Sequence, residues 1–231
     1  MAAKPQQQYI ILNAFEGGSL MPDFSTLLGY VIVVILLFLI PGPAVLLTIT
    51  RTVQNGRKGG IMAGLGIAIG DFLHTILATV GLSTILMTSA LAFNIVKYAG
   101  AVYLLYLGIR EMMSKPSDPQ LPKVKSAGAL KSFFSATAAE VLNPKTALFF
   151  LAFLPQFVHH ERGQVTTQFL ILGVVFVILS ALYTTSIVLG ISALGKLVKG
   201  RTWISRLSRL SGKFVGAIYI GLGLKVAFQR Q

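Results

Sequence analysis

The chain has 231 residues, of which 54% are hydrophobic and only 12% charged, against roughly 25% charged in a soluble domain. One soluble core of this length cannot hide so much apolar surface, so the composition, with a mean hydropathy of +0.75, excludes an ordinary water-soluble enzyme and equally a disordered or fibrous chain. The absence of cysteine excludes a disulfide scaffold, a thiol relay, an iron–sulfur cluster and any thiolate metal site; only 3 His remain, two of them the adjacent His159 and His160, and no metal or other cofactor is expected.

Residues 1–23 are expected to be an N-terminal extension. They lack the basic region, long apolar run and cleavage site of a signal peptide, Ile10–Leu12 being too short. Met21 stands just before the first apolar segment and is a candidate translation start, with Glu16-Gly17-Gly18 encodable by a purine-rich ribosome-binding sequence upstream.

A bilayer-crossing helix needs about 20 mostly apolar residues. No Asp, Glu, Lys or Arg occurs from Phe24 to Thr50 or from Gly163 to Gly195, and Phe72–Val96 contains only His74. Six spans are predicted: Leu27–Thr50, Gly60–Met87, Ala92–Ile109, Lys131–Phe157, Thr167–Leu194 and Ser211–Phe228. A five-span alternative lays the last segment on the membrane surface. The fold class is thus an all-α integral membrane protein.

Basic residues alternate by connection. Arg51, Arg57 and Lys58 lie in the first, Arg110, Lys115, Lys123, Lys125 and Lys131 in the third, and Lys196, Lys199, Arg201, Arg206, Arg209 and Lys213 in the fifth; the fourth holds only Arg162. Lys and Arg collect on the cytoplasmic side, so the odd connections are inside and both termini outside. The net charge of +13 is then a topology signal, and no nucleic-acid partner is expected. Trp203 reads as an inner-face anchor.

The proline-rich stretch from 114 to 130 reads as a cytoplasmic linker between two three-helix repeats, 24–113 and 131–231. Lys97-Tyr98-Ala99-Gly100-Ala101-Val102-Tyr103 matches Lys213-Phe214-Val215-Gly216-Ala217-Ile218-Tyr219, opening the third and sixth spans from opposite sides of the membrane. The first spans of the halves correspond too, with Pro41-Gly42-Pro43 in one and Asn143-Pro144 in the other. Proline lacks an N–H and interrupts the helical ladder. Matched breaks in inverted repeats point to a transporter binding site; each alone also serves as a packing kink.

Asp71 is the only acid in the second span, roughly 17 Å from its inner end and so near the midplane. A carboxylate there is costly unless paired or hydrated, which makes it a candidate for binding a proton or a cationic group. His74 is one turn away and is placed to share that proton or to sit as a satisfied core imidazole. Glu140, Asn143 and Lys145 flank the second break; Glu140 and Lys145 either pair across the broken turn or face different partners. Gly60, Gly64, Gly66 and Gly70 favour close helix packing.

Taken in this order, several motifs resemble the LysE/RhtB family of amino-acid exporters. They are Ile40-Pro41-Gly42-Pro43; Gly59-Gly60 with Gly64, Gly66 and Gly70-Asp71-Phe72-Leu73-His74; Lys97 through Gly108; and Asn143-Pro144-Lys145 followed by Phe149 to Val158. The likeness runs from Asp23 to the end of the chain. It implies a multi-pass exporter of the cytoplasmic (inner) membrane, carrying amino acids or derivatives of homoserine, threonine or leucine type by proton antiport, the RhtB branch being the most similar. Its partners would be the amino acid, protons and membrane lipid, with a homo-oligomer left open. A zwitterion needs two partners: N–H groups freed at Pro43 or Pro144 for its carboxylate, and Asp71 or Glu140 for its ammonium. The competing reading is an uncoupled small-solute or cation channel, since broken helices also line pores. A membrane enzyme is disfavoured, because no Ser or Thr has an evident His partner.

The charge count makes the topology testable. A C-terminal reporter that works only outside the cytoplasm should be active, and one that works only inside should be silent. The opposite pattern removes one span, most simply the sixth, and breaks the inverted repeat.

Overall fold

The computed structural model describes residues 22–39, 42–113, 126–159 and 164–194, with 216, 217, 219–221, 223, 224, 227 and 228. Met21, Pro41 in the first break, residues 114–125 of the linker, Trp203 and Lys213 lie outside these residues. Every regular element among them is helical: α1 (Phe24–Phe38), α2 (Pro43–Leu77), α3 (Ser83–Thr88), α4 (Ala90–Met113), α5 (Ala129–Val141), α6 (Pro144–Ala152) and α7 (Val165–Leu194). A π-turn, Ala78–Leu82, joins α2 to α3, and a 3-10 turn, Leu154–Phe157, follows α6.

One glycine divides α2. Gly56 has φ 68° and ψ −167°, a conformation open to a residue without Cβ. The chain folds back there, bringing Gly59 and Gly60 against Arg51, Thr52 and Asn55. Arg51, Arg57 and Lys58, expected in an open connection, are therefore helical on either side of a one-residue hinge. Asn55 ties this hinge to the start of α5, donating to the Ala127 carbonyl at 2.5 Å and accepting from Ser126 at 2.8 Å.

Both expected breaks interrupt helices. α1 ends at Phe38 and α2 opens on Pro43; α5 ends at Val141 and α6 opens on Pro144. Proline fits a first helical turn because its missing N–H would have had no partner there.

Burial is inverted relative to a soluble bundle. On α2 the inward face carries Ala63, Gly64, Ile67, Gly70, Asp71, His74 and Thr75, while Leu65, Ile69, Phe72, Leu73, Ile76 and Leu77 are exposed. Such an apolar outside is stable only where hydrocarbon is the solvent. Pro43–Ile85 and Val165–Ala193 are each long and apolar enough to cross a membrane.

Glycines set the helix spacing. A Cβ on Gly66 would strike the Phe133 carbonyl oxygen and stand 3.0 Å from the Thr137 nitrogen, and one on Gly70 would come within 2.6 Å of Glu140 Cβ, so α2 lies directly on α5. Gly64 faces Thr184 and Gly173 faces Thr75, which seats α7 equally close. Gly108 packs on Gly216 and Ile220, and Gly223 on Ala101, so the segment from 216 runs antiparallel to α4. Tyr30, Phe149, Phe150, Phe153 and Phe176 fill the space between α1, α6 and α7, with Phe150 and Phe176 edge-to-face at 4.9 Å.

Because the Gly66 contact is with backbone, the neighbour cannot yield. Gly66→Ala should lower stability by about 1–3 kcal/mol. Gly190→Ala, with nothing within 4 Å of the new methyl, should raise it by up to about 1 kcal/mol. Thermal unfolding midpoints in detergent check both.

Candidate functional site

The α5–α6 break is held by side chains. Asn143 caps α6, its Oδ1 accepting from the Lys145 N–H at 3.1 Å. Its Nδ2 donates to both oxygens of Glu140 at 3.3 Å and to Thr146 Oγ1 at 3.2 Å. Thr146 in turn donates to Glu140 Oε1 at 2.5 Å. Glu140, 4% exposed, is thus an acceptor served by two donors from the turn that follows it. The sequence i, i+3, i+6 (Glu140, Asn143, Thr146) converges because the break turns the chain between them.

The other break lies alongside. A Cβ on Gly42 would sit 3.6 Å from Asn143 Nδ2 and 3.8 Å from Lys145 Cδ. Lys145 Nζ donates to the Leu37 carbonyl at 2.7 Å, linking the start of α6 to the end of α1. Gly42, the residue before α2, contributes no side-chain cap to the first N–H groups of that helix, on Ala44 and Val45.

Asp71 completes the arrangement. It is 1% exposed, with the Glu140 carboxyl and the Ser180 hydroxyl as polar neighbours, and its Oδ2 finds no hydrogen-bond partner among the described residues. Two carboxyls side by side in a buried site repel when both are ionised, and a bound cation or proton removes that repulsion. The cavity between them measures about 30 Å³, room for little more than a water or two. Around it stand Gly42 and Val45 from one break, Asn143, Lys145 and Thr146 from the other, and Ser180, Tyr183 and Thr184 from α7.

His74 is turned elsewhere. Its Nε2 pairs with the Glu140 backbone carbonyl at 3.1 Å and its ring stacks on Phe150 at 5.8 Å, which steadies α5 where it ends. Of the residues singled out in the sequence, Asp71, Glu140, Gly42, Asn143 and Lys145 border the cavity; His74 supports one of them from behind. Pro43 and Pro144 open the two helices that point at it. Among the described residues no group of three His, Asp or Glu could hold a metal ion.

Sequence reasoning missed Thr146, Ser180, Tyr183 and Thr184. Ser180 and Thr184 carried a usable signal, being four apart in a charge-free helix and hence on one face. A second feature also escaped: Thr75, Thr79 and Ser83 follow Asp71 at four-residue steps and are all buried, forming a line of hydroxyls from Asp71 through the π-turn.

A family model described as LysE type translocator matches residues 35–230. The chain belongs to the LysE translocator family. It is therefore a membrane translocator and not an enzyme. This translocator is 31% identical over 209 residues to the uncharacterized membrane protein YrhP of Bacillus subtilis (strain 168), covering 87% of this chain and 97% of that one. It is 28% identical over 199 residues to the leucine efflux protein of Salmonella typhimurium, covering 86% and 92% respectively. Membrane protein PA4757 of Pseudomonas aeruginosa is 31% identical over 213 residues, 89% of this chain and 94% of that protein. No solved structure matches the translocator significantly.

Asn143→Ala removes a helix cap and the amide donated to a buried carboxyl. It should cost about 2 kcal/mol of stability, read as a lower unfolding temperature in detergent, whereas Asn143→Ser should recover the cap and part of the loss.

Proposed function

We propose that this translocator exports amino acids or their derivatives, of homoserine, threonine or leucine type, across the cytoplasmic (inner) membrane by antiport against protons. The observation that carries the reading is the cavity where two buried carboxyls, Asp71 and Glu140, meet the uncapped start of α2 and the cation of Lys145. One site then offers acceptors for an ammonium and donors for a carboxylate. The substrate ammonium would rest between Asp71 and Glu140. Its carboxylate would take the Ala44 and Val45 N–H groups at the positive end of the α2 dipole, with Lys145 beside them.

Coupling follows from the carboxyls. Glu140 is already served by Asn143 and Thr146. Asp71, with one oxygen unpartnered, is the better seat for an arriving cation. An ammonium and a proton satisfy the same oxygens and cannot both occupy them. Release of the amino acid outward leaves the pair to be neutralised by a proton, and loss of that proton inward restores the site for the next substrate. An uncoupled channel would have no such exclusion.

The architecture supporting this reading is six transmembrane helices in two inverted repeats, 24–113 and 131–231, around the linker 114–130. Its support is that the two breaks meet at Gly42 and Asn143, and that α4 packs antiparallel to the segment from 216 through paired glycines. The relative named for leucine efflux supports the substrate class and the direction.

Asp71→Asn keeps shape and hydrogen-bonding capacity but removes the charge. It should reach the membrane in normal amount and lose efflux driven by an imposed pH gradient in proteoliposomes, while Asp71→Glu retains part of it. Lys199→Gln, in a connection with many other basic residues, should transport like the unmodified protein. Wild-type pH dependence in Asp71→Asn would make that carboxyl structural and move coupling to Glu140 or favour the channel.

A further inference from the structure

The face of α2 that carries Asp71 changes character at that residue. Four and eight residues before it stand Ile67 and Ala63, which with Ala44, Leu47 and Ala136 form a buried apolar cluster. Four, eight and twelve residues after it stand Thr75, Thr79 and Ser83, all buried. A hydroxyl buried in a helix can bond the carbonyl four residues earlier, and Thr48, Thr50, Thr52, Thr75 and Ser83 each do so. Thr79 does not. It lies in the π-turn, where the helical ladder is displaced, and its hydroxyl has no partner among the described residues. Tyr30 on α1 carries a second such hydroxyl. It is fully buried in the core cluster that also holds Ala78 and Leu82 of the π-turn, and its oxygen has no partner among the described residues. It lies within electrostatic reach of the Asp71 carboxyl. Tyr30 precedes Leu37, and Thr79 follows Asp71, by about two helical turns, and Leu37 and Asp71 both border the polar cavity. Because the chain folds back at Gly56, both displacements lead away from that hinge.

We propose that the Tyr30 and Thr79 hydroxyls, joined by water, carry protons between the outer face of the membrane and Asp71. The proposal rests on the proton-antiport reading above and adds the path by which the proton arrives. The hinge, flanked by Arg51, Arg57 and Lys58, is the cytoplasmic end by the charge rule, so the two hydroxyls stand on the outer side of Asp71. A hydroxyl with no fixed partner accepts one hydrogen bond and donates another. Each takes a proton from the water on its outer side as it gives its own to the water beyond, and is left unchanged. The last water protonates Asp71 Oδ2, which has no partner among the described residues. A buried water makes about three hydrogen bonds, and these unpartnered oxygens are there to receive them.

The other titratable groups around Asp71 are engaged. His74 on its own helix pairs with the Glu140 carbonyl, and Glu140 on α5 accepts from the Asn143 amide and the Thr146 hydroxyl. The Lys145 ammonium on α6 donates to the Leu37 carbonyl. Tyr183 on α7 stacks on Phe38 beside the cavity. Towards the hinge the apolar cluster lies in the way, and Thr48, Thr52 and Thr184 donate their hydroxyls to their own helices. Among the described residues, unbonded hydroxyls therefore approach Asp71 from the outer side.

The test uses the full chain in proteoliposomes, with labelled leucine, threonine and homoserine. Two rates are compared: efflux driven by an imposed pH gradient, and exchange of labelled for unlabelled amino acid at equal pH on both sides. Exchange uses the substrate site but moves no net proton. Tyr30→Phe and Thr79→Val each remove one hydroxyl with almost no change of shape. Each should slow pH-driven efflux by about tenfold or more, while exchange stays within about twofold. Thr79→Ser keeps the hydroxyl and should transport like the unmodified protein. So should Thr84→Val, whose hydroxyl is exposed and bonds the Val80 carbonyl. Should Thr79→Val fail to reach the membrane, Thr79→Ala reads the same ratio, and Tyr30→Phe reads it independently. Efflux and exchange falling together, or neither changing, overturns the path. Exchange without any response to a pH gradient in the unmodified protein ends the proton reading, and the path falls with it. If the unmodified protein moves none of these amino acids, the amino-acid reading itself has failed and the path with it.

Discussion

A helix broken inside hydrocarbon leaves carbonyls and N–H groups that no water can satisfy, and each costs several kcal/mol if left bare. In this protein two such breaks lie against each other, and the structure around them answers that cost. The Lys145 ammonium takes the Leu37 carbonyl, Asn143 caps α6, and Thr146 and Asn143 together hold the Glu140 carboxyl. The start of α2 is the exception: its residue before the helix is glycine and supplies no side-chain cap. The start of α2 and the unpartnered oxygen of Asp71 border the same cavity.

Close packing serves this centre. Gly66 and Gly70 bring α2 onto α5 so tightly that Asp71 and Glu140, 69 residues apart in sequence, become neighbours. Gly64 and Gly173 do the same for α7, which supplies Ser180 and Thr184. A bilayer provides no hydrophobic drive for helices to associate, so small residues that let backbones approach, and polar side chains that bond across the gap, must hold the bundle. The same residues that close the packing are those that assemble the site.

Thr75, Thr79 and Ser83 continue the buried polar line from Asp71 through the π-turn to the start of α3.

The hydrophobic content, the charge-free runs and the loop placement of Lys and Arg identified a membrane protein, because a bilayer imposes length and polarity on each segment separately. The breaks were legible for the same local reason: Pro43 and Pro144 cannot continue a helix from the residues before them. Asp71 stood out because a lone acid in an apolar run is expensive wherever the helix goes. What the sequence left open was every relation between segments. That Gly56 alone turns the chain, that His74 bonds the Glu140 carbonyl and stands behind the cavity, and that Ser180, Tyr183 and Thr184 line it all depend on which helix faces which. Helical periodicity fixes which residues share a face, but the partner of that face is decided by packing between distant glycines and side chains, and that exists only in the folded bundle.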